Sequence, residues 1–157
     1  MTNDSLRVLV IDDEKPHAEA VAESLERVGY DCVIATSGQQ GARRMEDDEY
    51  DLILTDLRMA GLDGLAILRR AKELLPDAEV VVITGHGDVK TAVEAIKRGA
   101  ADFVTKPFQF DELMHVLHTA LEQRRLKNEN AYLRQQLDER YGLPSMIGRS
   151  PRMRSLF

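Results

Sequence analysis

The chain has one cysteine, Cys32, among 157 residues. A lone thiol closes no internal disulfide, which excludes a disulfide-stapled secreted scaffold and points to the reducing cytoplasm; Cys32 itself reads as a small core residue. No apolar run approaches the roughly 20 residues that a membrane-spanning helix needs, and no charged-then-apolar leader opens the chain. Positive charge is scarce. Lys and Arg number 21 against 27 Asp and Glu, a net charge of -6, which excludes non-specific nucleic-acid binding by this segment, because phosphate contacts need clustered cations. One cysteine and four scattered histidines form no zinc pattern. There is no fixed-period repeat, no low-complexity tract, no Walker motif and no helix-turn-helix, so these residues neither hydrolyse ATP nor read DNA.

What is present suffices for one full core: 43% of the residues are hydrophobic. Short β-branched runs alternate with longer amphipathic ones: RVLVI, then Pro16 to Val28; DCVIA, then Ser37 to Asp47; DLILT, then Asp63 to Leu74. VVVIT, Asp88 to Arg98, DFVT and a helix from Asp111 complete the series. Strands this continuously apolar, separated by helices, imply a parallel sheet covered on both faces, an α/β doubly wound (βα)5 fold. Gly29 and Gly99 close helices, Pro76 follows the third, and Ser37, Asp88 and Asp111 are candidate N-caps.

The last helix is longer than packing requires. It can run from Asp111 to about Arg140 without Gly or Pro, and Gly142 and Pro144 then end it. Leu126, Asn130, Leu133, Leu137 and Arg140 are spaced four, three, four and three apart, a heptad seam on which a buried Asn specifies two strands in register. The remaining SMIGRSPRMRSLF is too short to bury anything, so the chain reads as a fragment. The expected organisation is a first domain over 1-125, a helical coiled-coil linker over 126-144, and the start of a further domain at 145-157.

In VLVIDDE, residues Val8 to Glu14, four apolar residues run straight into three carboxylates. Adjacent like charges near a buried strand are costly unless something positive is bound. Ligands of open α/β sheets bind beyond the carboxyl ends of the strands, where strand order reverses. There strand one delivers Asp12 and Asp13, strand three Asp56, strand four Thr84 and strand five Lys106. In the order 2-1-3-4-5 the three aspartates converge, with Thr84 and Lys106 flanking them. Such a set suits Mg2+, a hard ion that takes carboxylates, waters and phosphate oxygens. With the cluster neutralised, Asp56 can attack a phosphoryl group, while Lys106 supplies charge and Thr84 a hydroxyl donor.

Taken singly, each feature has a plainer reading. An isolated Asp at a strand end is a turn or cap residue, Thr84 an ordinary strand residue, Phe103 core and Glu14 solvated. The Gly85-His86-Gly87 stretch lacks the Gly-Lys-Ser/Thr ending of a nucleotide loop and reads as a flexible loop. His115 and His118 lie three apart on a helix but read as a solvated pair. A flavodoxin-like flavin carrier would share the topology, yet Asp12 and Asp13 would repel its cofactor phosphate. A phosphatase of the haloacid dehalogenase type needs an Asp-x-Asp pattern after strand one, which is absent.

Together VLVIDDE, LILTDLRM, VITGHGD and DFVTKPF resemble the receiver domain of two-component response regulators, over roughly residues 6 to 125. The resemblance implies a flavodoxin-like receiver fold and a phosphoacceptor signalling domain rather than an enzyme, with Asp56 phosphorylated by a sensor histidine kinase. It makes Asp13 a direct Mg2+ ligand alongside Asp56 and the backbone carbonyl of Arg58, and Asp12 a ligand through water. It makes Thr84 the switch hydroxyl, Phe103 the aromatic rotamer switch, and Lys106 the phosphate-contacting lysine before a cis peptide to Pro107. The chain departs from the common pattern at Ala60, where many relatives carry proline, and at Phe103, which lacks the frequent tyrosine hydroxyl. The TGHGDV and DFVTKPF variants, the leucine-bearing linker and IGRSPRMRSLF resemble the NtrC-type, sigma-54-dependent transcriptional activators. That implies an AAA+ ATPase beginning at the tail, with DNA and sigma-54 RNA polymerase as partners of a full-length protein; the alternative is a receiver controlling a non-transcriptional output such as a signalling enzyme. The heptad spacing, rather than the resemblance, predicts a homodimer through Leu126, Asn130, Leu133 and Leu137, with contacts added through the fourth and fifth helices; the plainer alternative is a solvated helix.

Overall fold

A computed structural model describes residues 6-141. The five apolar runs are strands: β1 (Arg7–Ile11), β2 (Asp31–Ala35), β3 (Leu52–Asp56), β4 (Glu79–Thr84) and β5 (Asp102–Thr105). They form one parallel sheet, as the alternating pattern implies, and its order is β2-β1-β3-β4-β5, the one in which the aspartates are expected to converge. The intervening helices are α1 (Lys15–Arg27), α2 (Gly38–Asp47), α3 (Gly64–Leu74) and α4 (Val89–Lys97), and α5 (Phe110–Tyr141) follows β5.

Successive strand residues point to opposite faces, and both faces are covered. Val8, Val10, Leu52, Leu54, Val81 and Ile83 pack with Ala18, Val21 and Leu25 of α1 and Leu113, Leu117 and Ala120 of α5. Leu9, Ile11, Ile53, Val80 and Val82 pack with Met45 of α2, Ile67, Leu68 and Ala71 of α3, and Ala92 and Ala95 of α4. Each fully buried aliphatic side chain is worth about 1.5 to 3 kcal/mol over an exposed one, so strands with no polar face are the stable choice here.

Helix ends follow local chemistry with two exceptions. The Ser37 side chain accepts from the Gln40 N–H at 3.0 Å, and Asp63 accepts from the Ala66 N–H at 3.0 Å. Gly29 and Gly99, at φ 105 and 111, close α1 and α4 in a conformation that disfavours a side chain. Asp88, expected to cap α4, makes no capping bond because Arg58 takes its carboxylate. Asp111 lies inside the first turn of α5, where the Gln109 N–H donates instead to the Glu112 side chain at 3.0 Å. Of Gly85-His86-Gly87, expected as a flexible loop, the last two residues belong to a single 3-10 turn over His86–Asp88.

The chain divides into two units, one ending at Leu121 and the other beginning at Glu122. In the second, Leu126, Leu133 and Leu137 are about half exposed, at 49, 51 and 49%, and Arg125 pairs with Glu122 and Glu129. The expected end of the linker and the expected ATPase start, at 142-157, lie outside the described residues. Among the described residues no helix is long and apolar enough to cross a membrane.

Candidate functional site

The site is built where four strands end. β1 runs into Asp12 and Asp13, and β3 ends on Asp56; because β1 and β3 are neighbours, the carboxylates meet. One oxygen from each of Asp12, Asp13 and Asp56 lies within 4.8 Å of the others. Asp12 is 1% exposed and Asp56 8%, whereas Asp13 faces outward. The backbone around the end of β3 is held by the Leu57 N–H on the Ile83 carbonyl at 2.8 Å and the Thr55 hydroxyl on the Asp56 carbonyl at 3.0 Å.

Lys106 follows β5, tied in by its N–H on the Thr84 carbonyl at 2.7 Å, and the Lys106–Pro107 peptide is cis. Its Nζ lies 3.3 Å from Asp56 Oδ2 and 3.2 Å from Oδ1, with Asp12 Oδ2 at 3.9 Å. One ammonium does not balance the cluster. Burial first, and then the Asp12 charge, push the Asp56 carboxyl up to about 6 against the pull of Lys106. Lys106 is itself raised: burial lowers it, but Asp56 and Asp12 together outweigh that.

Thr84, at the end of β4, is buried and its hydroxyl donates to the Gly85 carbonyl at 3.2 Å. Phe103 is half-buried on β5 and packs against the cluster that includes Ala92 and Ala95 of α4. The Arg58 guanidinium turns to Asp88, with bonds of 2.9, 2.9 and 2.6 Å joining the β3–α3 loop to the β4–α4 loop. An open cavity of about 540 Å³ lies beside Asp13, lined also by Arg58, Met59, Ala60 and Thr91.

Three features escaped the sequence reading. The His17 ring contacts Asp12 Oδ2 through Nδ1, yet nothing in its spacing marks it. Gly64 admits a close approach: a Cβ there would sit 2.7 Å from the Asp56 carbonyl and 2.8 Å from Leu57 Cα. The glycine directly after the Asp63 cap was the available signal. The Arg58–Asp88 pair joins residues thirty apart in sequence and had none. His115 and His118 enter no candidate metal group among the described residues.

Three hard, anionic oxygens around an incompletely balanced charge fit a small divalent cation such as Mg2+, and offer nothing to a soft metal. Residues 8–118 match the family described as the response regulator receiver domain. The chain is 40% identical over 121 residues to the transcriptional regulatory protein ZraR of Escherichia coli K12, covering 77% of this chain and 27% of that protein. It is 38% identical over 150 residues to the C4-dicarboxylate transport transcriptional regulatory protein DctD of Rhizobium meliloti, covering 95% and 32%. Among solved structures, NtrX from Brucella abortus matches with a TM-score of 0.77 and 39% identity over 82% of this chain and 29% of that one. The NtrX receiver domain matches with a TM-score of 0.69 and 40% identity, covering 73% of this chain and 98% of that one. The chain spans about a third or less of the length of these curated relatives.

Proposed function

The chain belongs to the response regulator receiver domain family, and on that premise we propose that Asp56 is its phosphoacceptor, charged by a sensor histidine kinase. Receiver domains in general are phosphorylated by such kinases. The observation that carries the assignment is the Lys106 ammonium at 3.2 and 3.3 Å from the two Asp56 oxygens, within a cluster of three carboxylates.

An Asp56 oxygen forms the new P–O bond as the donor's bond to phosphorus breaks and the donor departs, leaving an acyl phosphate. Lys106 is placed to follow the transferred group, because its Nζ already lies between Asp56 and Asp12. Asp13, Asp56 and the Arg58 carbonyl would hold Mg2+, with Asp12 acting through water. Bound there, the ion supplies positive charge against the carboxylates and the phosphoryl oxygens. The Thr84 hydroxyl, which donates to the Gly85 carbonyl, would leave that bond to turn toward a phosphoryl group. Phe103 is its partner in the switch.

The same reading assigns residues 1-125 to the receiver, 126-144 to the linker and 145-157 to the start of an AAA+ domain, in a cytoplasmic protein. Relatives named as transcriptional regulators support an output in which receiver and linker control a sigma-54 activator ATPase. Homodimerisation would use Leu126, Asn130, Leu133 and Leu137, aided by the exposed Val89, Val93 and Ile96 of α4.

Incubation with acetyl phosphate and Mg2+ tests the assignment. Intact mass should increase by one phosphoryl group in the wild type, removable by hydroxylamine, and not in Asp56→Asn. Equal uptake by both proteins would remove Asp56 from this role.

A further inference from the structure

Both oxygens of Asp12 are already engaged. Oδ1 accepts the Glu14 N–H at 2.9 Å, and Oδ2 is met by the His17 ring nitrogen Nδ1, which is the donor against a carboxylate. The next cation, Lys106 Nζ, stands 3.9 Å away. Asp12 is 1% exposed, so its oxygens are held chiefly by these protein donors. Asp13, one residue on, faces outward.

The ring that occupies Oδ2 is itself held in place. His17 lies in the first turn of α1 and meets Phe108 edge-on, with ring centroids 5.9 Å apart and planes at 69°. Phe108 belongs to the segment after Lys106 and Pro107, so the imidazole is wedged between the acid cluster and the β5–α5 connection. A donor fixed by helix and ring packing occupies one acceptor direction at low entropic cost.

We propose that His17 is a positioning residue of the phosphoryl-transfer site: by occupying Oδ2 it keeps Asp12 out of direct contact with a divalent cation, which leaves inner-sphere binding to Asp13 and Asp56. The inference rests on reading the three aspartates as a cation site. Its physical basis is competition, since an oxygen that accepts a hydrogen bond along a lone pair must release it to coordinate an ion there. Removing the donor would admit a third carboxylate, and affinity for hard cations rises with the number of charged ligands.

The test uses the full chain, with Mg2+ affinity from NMR titration and, for Mn2+ as a probe, the number of bound waters from water-proton relaxation. His17→Ala should bind Mg2+ more tightly, on the order of fivefold, with at least one water fewer on Mn2+. His17→Phe keeps a ring beside Phe108 without the donor and should behave as His17→Ala does, which decides the matter if the alanine variant folds poorly. His17→Asn returns an N–H donor and should restore wild-type affinity and hydration. Unchanged or weaker binding in both donorless variants, or an asparagine variant that behaves like them, overturns the role of His17 while leaving the cation site standing. A wild type that binds neither ion overturns both readings.

Discussion

Asp56 is buried, close to Asp12, and only partly compensated by Lys106, so its ionised form is disfavoured in the metal-free fold. Its carboxyl is raised from the ordinary range, near 4, to about 6. An acid that holds its proton more tightly folded than unfolded contributes stability that is complete below about pH 4 and lost as pH rises through about 6. In EDTA, the melting temperature of Asp56→Asn should therefore lie near that of wild type at pH 4 and increasingly above it between pH 4 and 7. Added Mg2+ should narrow the difference at pH 7. Thermal melts across this range check the point, and a gap independent of pH would mean that burial and Asp12 do not burden Asp56. Residues that would touch the transferred group should separate from those that would hold the ion. Thr84→Ala is expected to bind Mg2+ nearly normally while losing most of the spectral response to phosphorylation, and Asp13→Ala to lose Mg2+ affinity outright. NMR titrations showing the reverse pattern would reassign both.

At the scale of elements, what could be read in advance was whatever local pattern and burial dictate together. RVLVI and DLILT are legible as central strands because both faces are covered, and Ser37 caps α2 through a bond to the N–H three residues on. The convergence of Asp12, Asp13 and Asp56 followed once the strand order placed β1 beside β3. What could not be read depends on contacts that no local pattern encodes. Asp88 has the residue type of a cap, but Arg58, thirty positions earlier, is the stronger partner for its carboxylate. His17 reaches Asp12 only through the turn between β1 and α1. Gly64 lies between the two cases: its place at the start of α3 could be read, the β3 backbone it approaches could not. Ala is the better helix former by about 1 kcal/mol, so a first-turn Gly64→Ala should stabilise on propensity alone. Against a backbone carbonyl 2.7 Å from the new Cβ, overpacking of about 1 to 3 kcal/mol should win and displace the end of β3. Urea denaturation should find the variant less stable than wild type. Greater stability would show that the α3 end yields without disturbing Asp56.

For the molecule as a whole, the question is what the second unit does with its leucines. Leu126, Leu133 and Leu137 stand about half exposed along the end of α5, and Asn130 is exposed on the same spacing. Arg125 pairs with Glu122 and with Glu129 in water. A leucine buried fully in a partner gains about 1.5 to 3 kcal/mol, so three from each strand supply several kcal/mol, offset by the cost of association and by any polar group taken inside. Asn130 is such a group: against its symmetry mate it costs stability but holds two parallel strands in register. Two heptads are few, so the helix alone should pair weakly, and in the proposed dimer contacts from the exposed Val89, Val93 and Ile96 of α4 would give phosphorylation a means of adding to or withdrawing from the assembly. The expected state is a parallel homodimer through residues near 113-140, populated in the micromolar range. By analytical ultracentrifugation Leu133→Asp should be monomeric, because a charge in the seam loses water without gaining a partner. Asn130→Leu should associate more tightly or to higher order, since it replaces the polar register device with apolar surface. A wild type that stays monomeric at high micromolar concentration, with and without acetyl phosphate, would sink the seam and leave the end of α5 as a solvated tether.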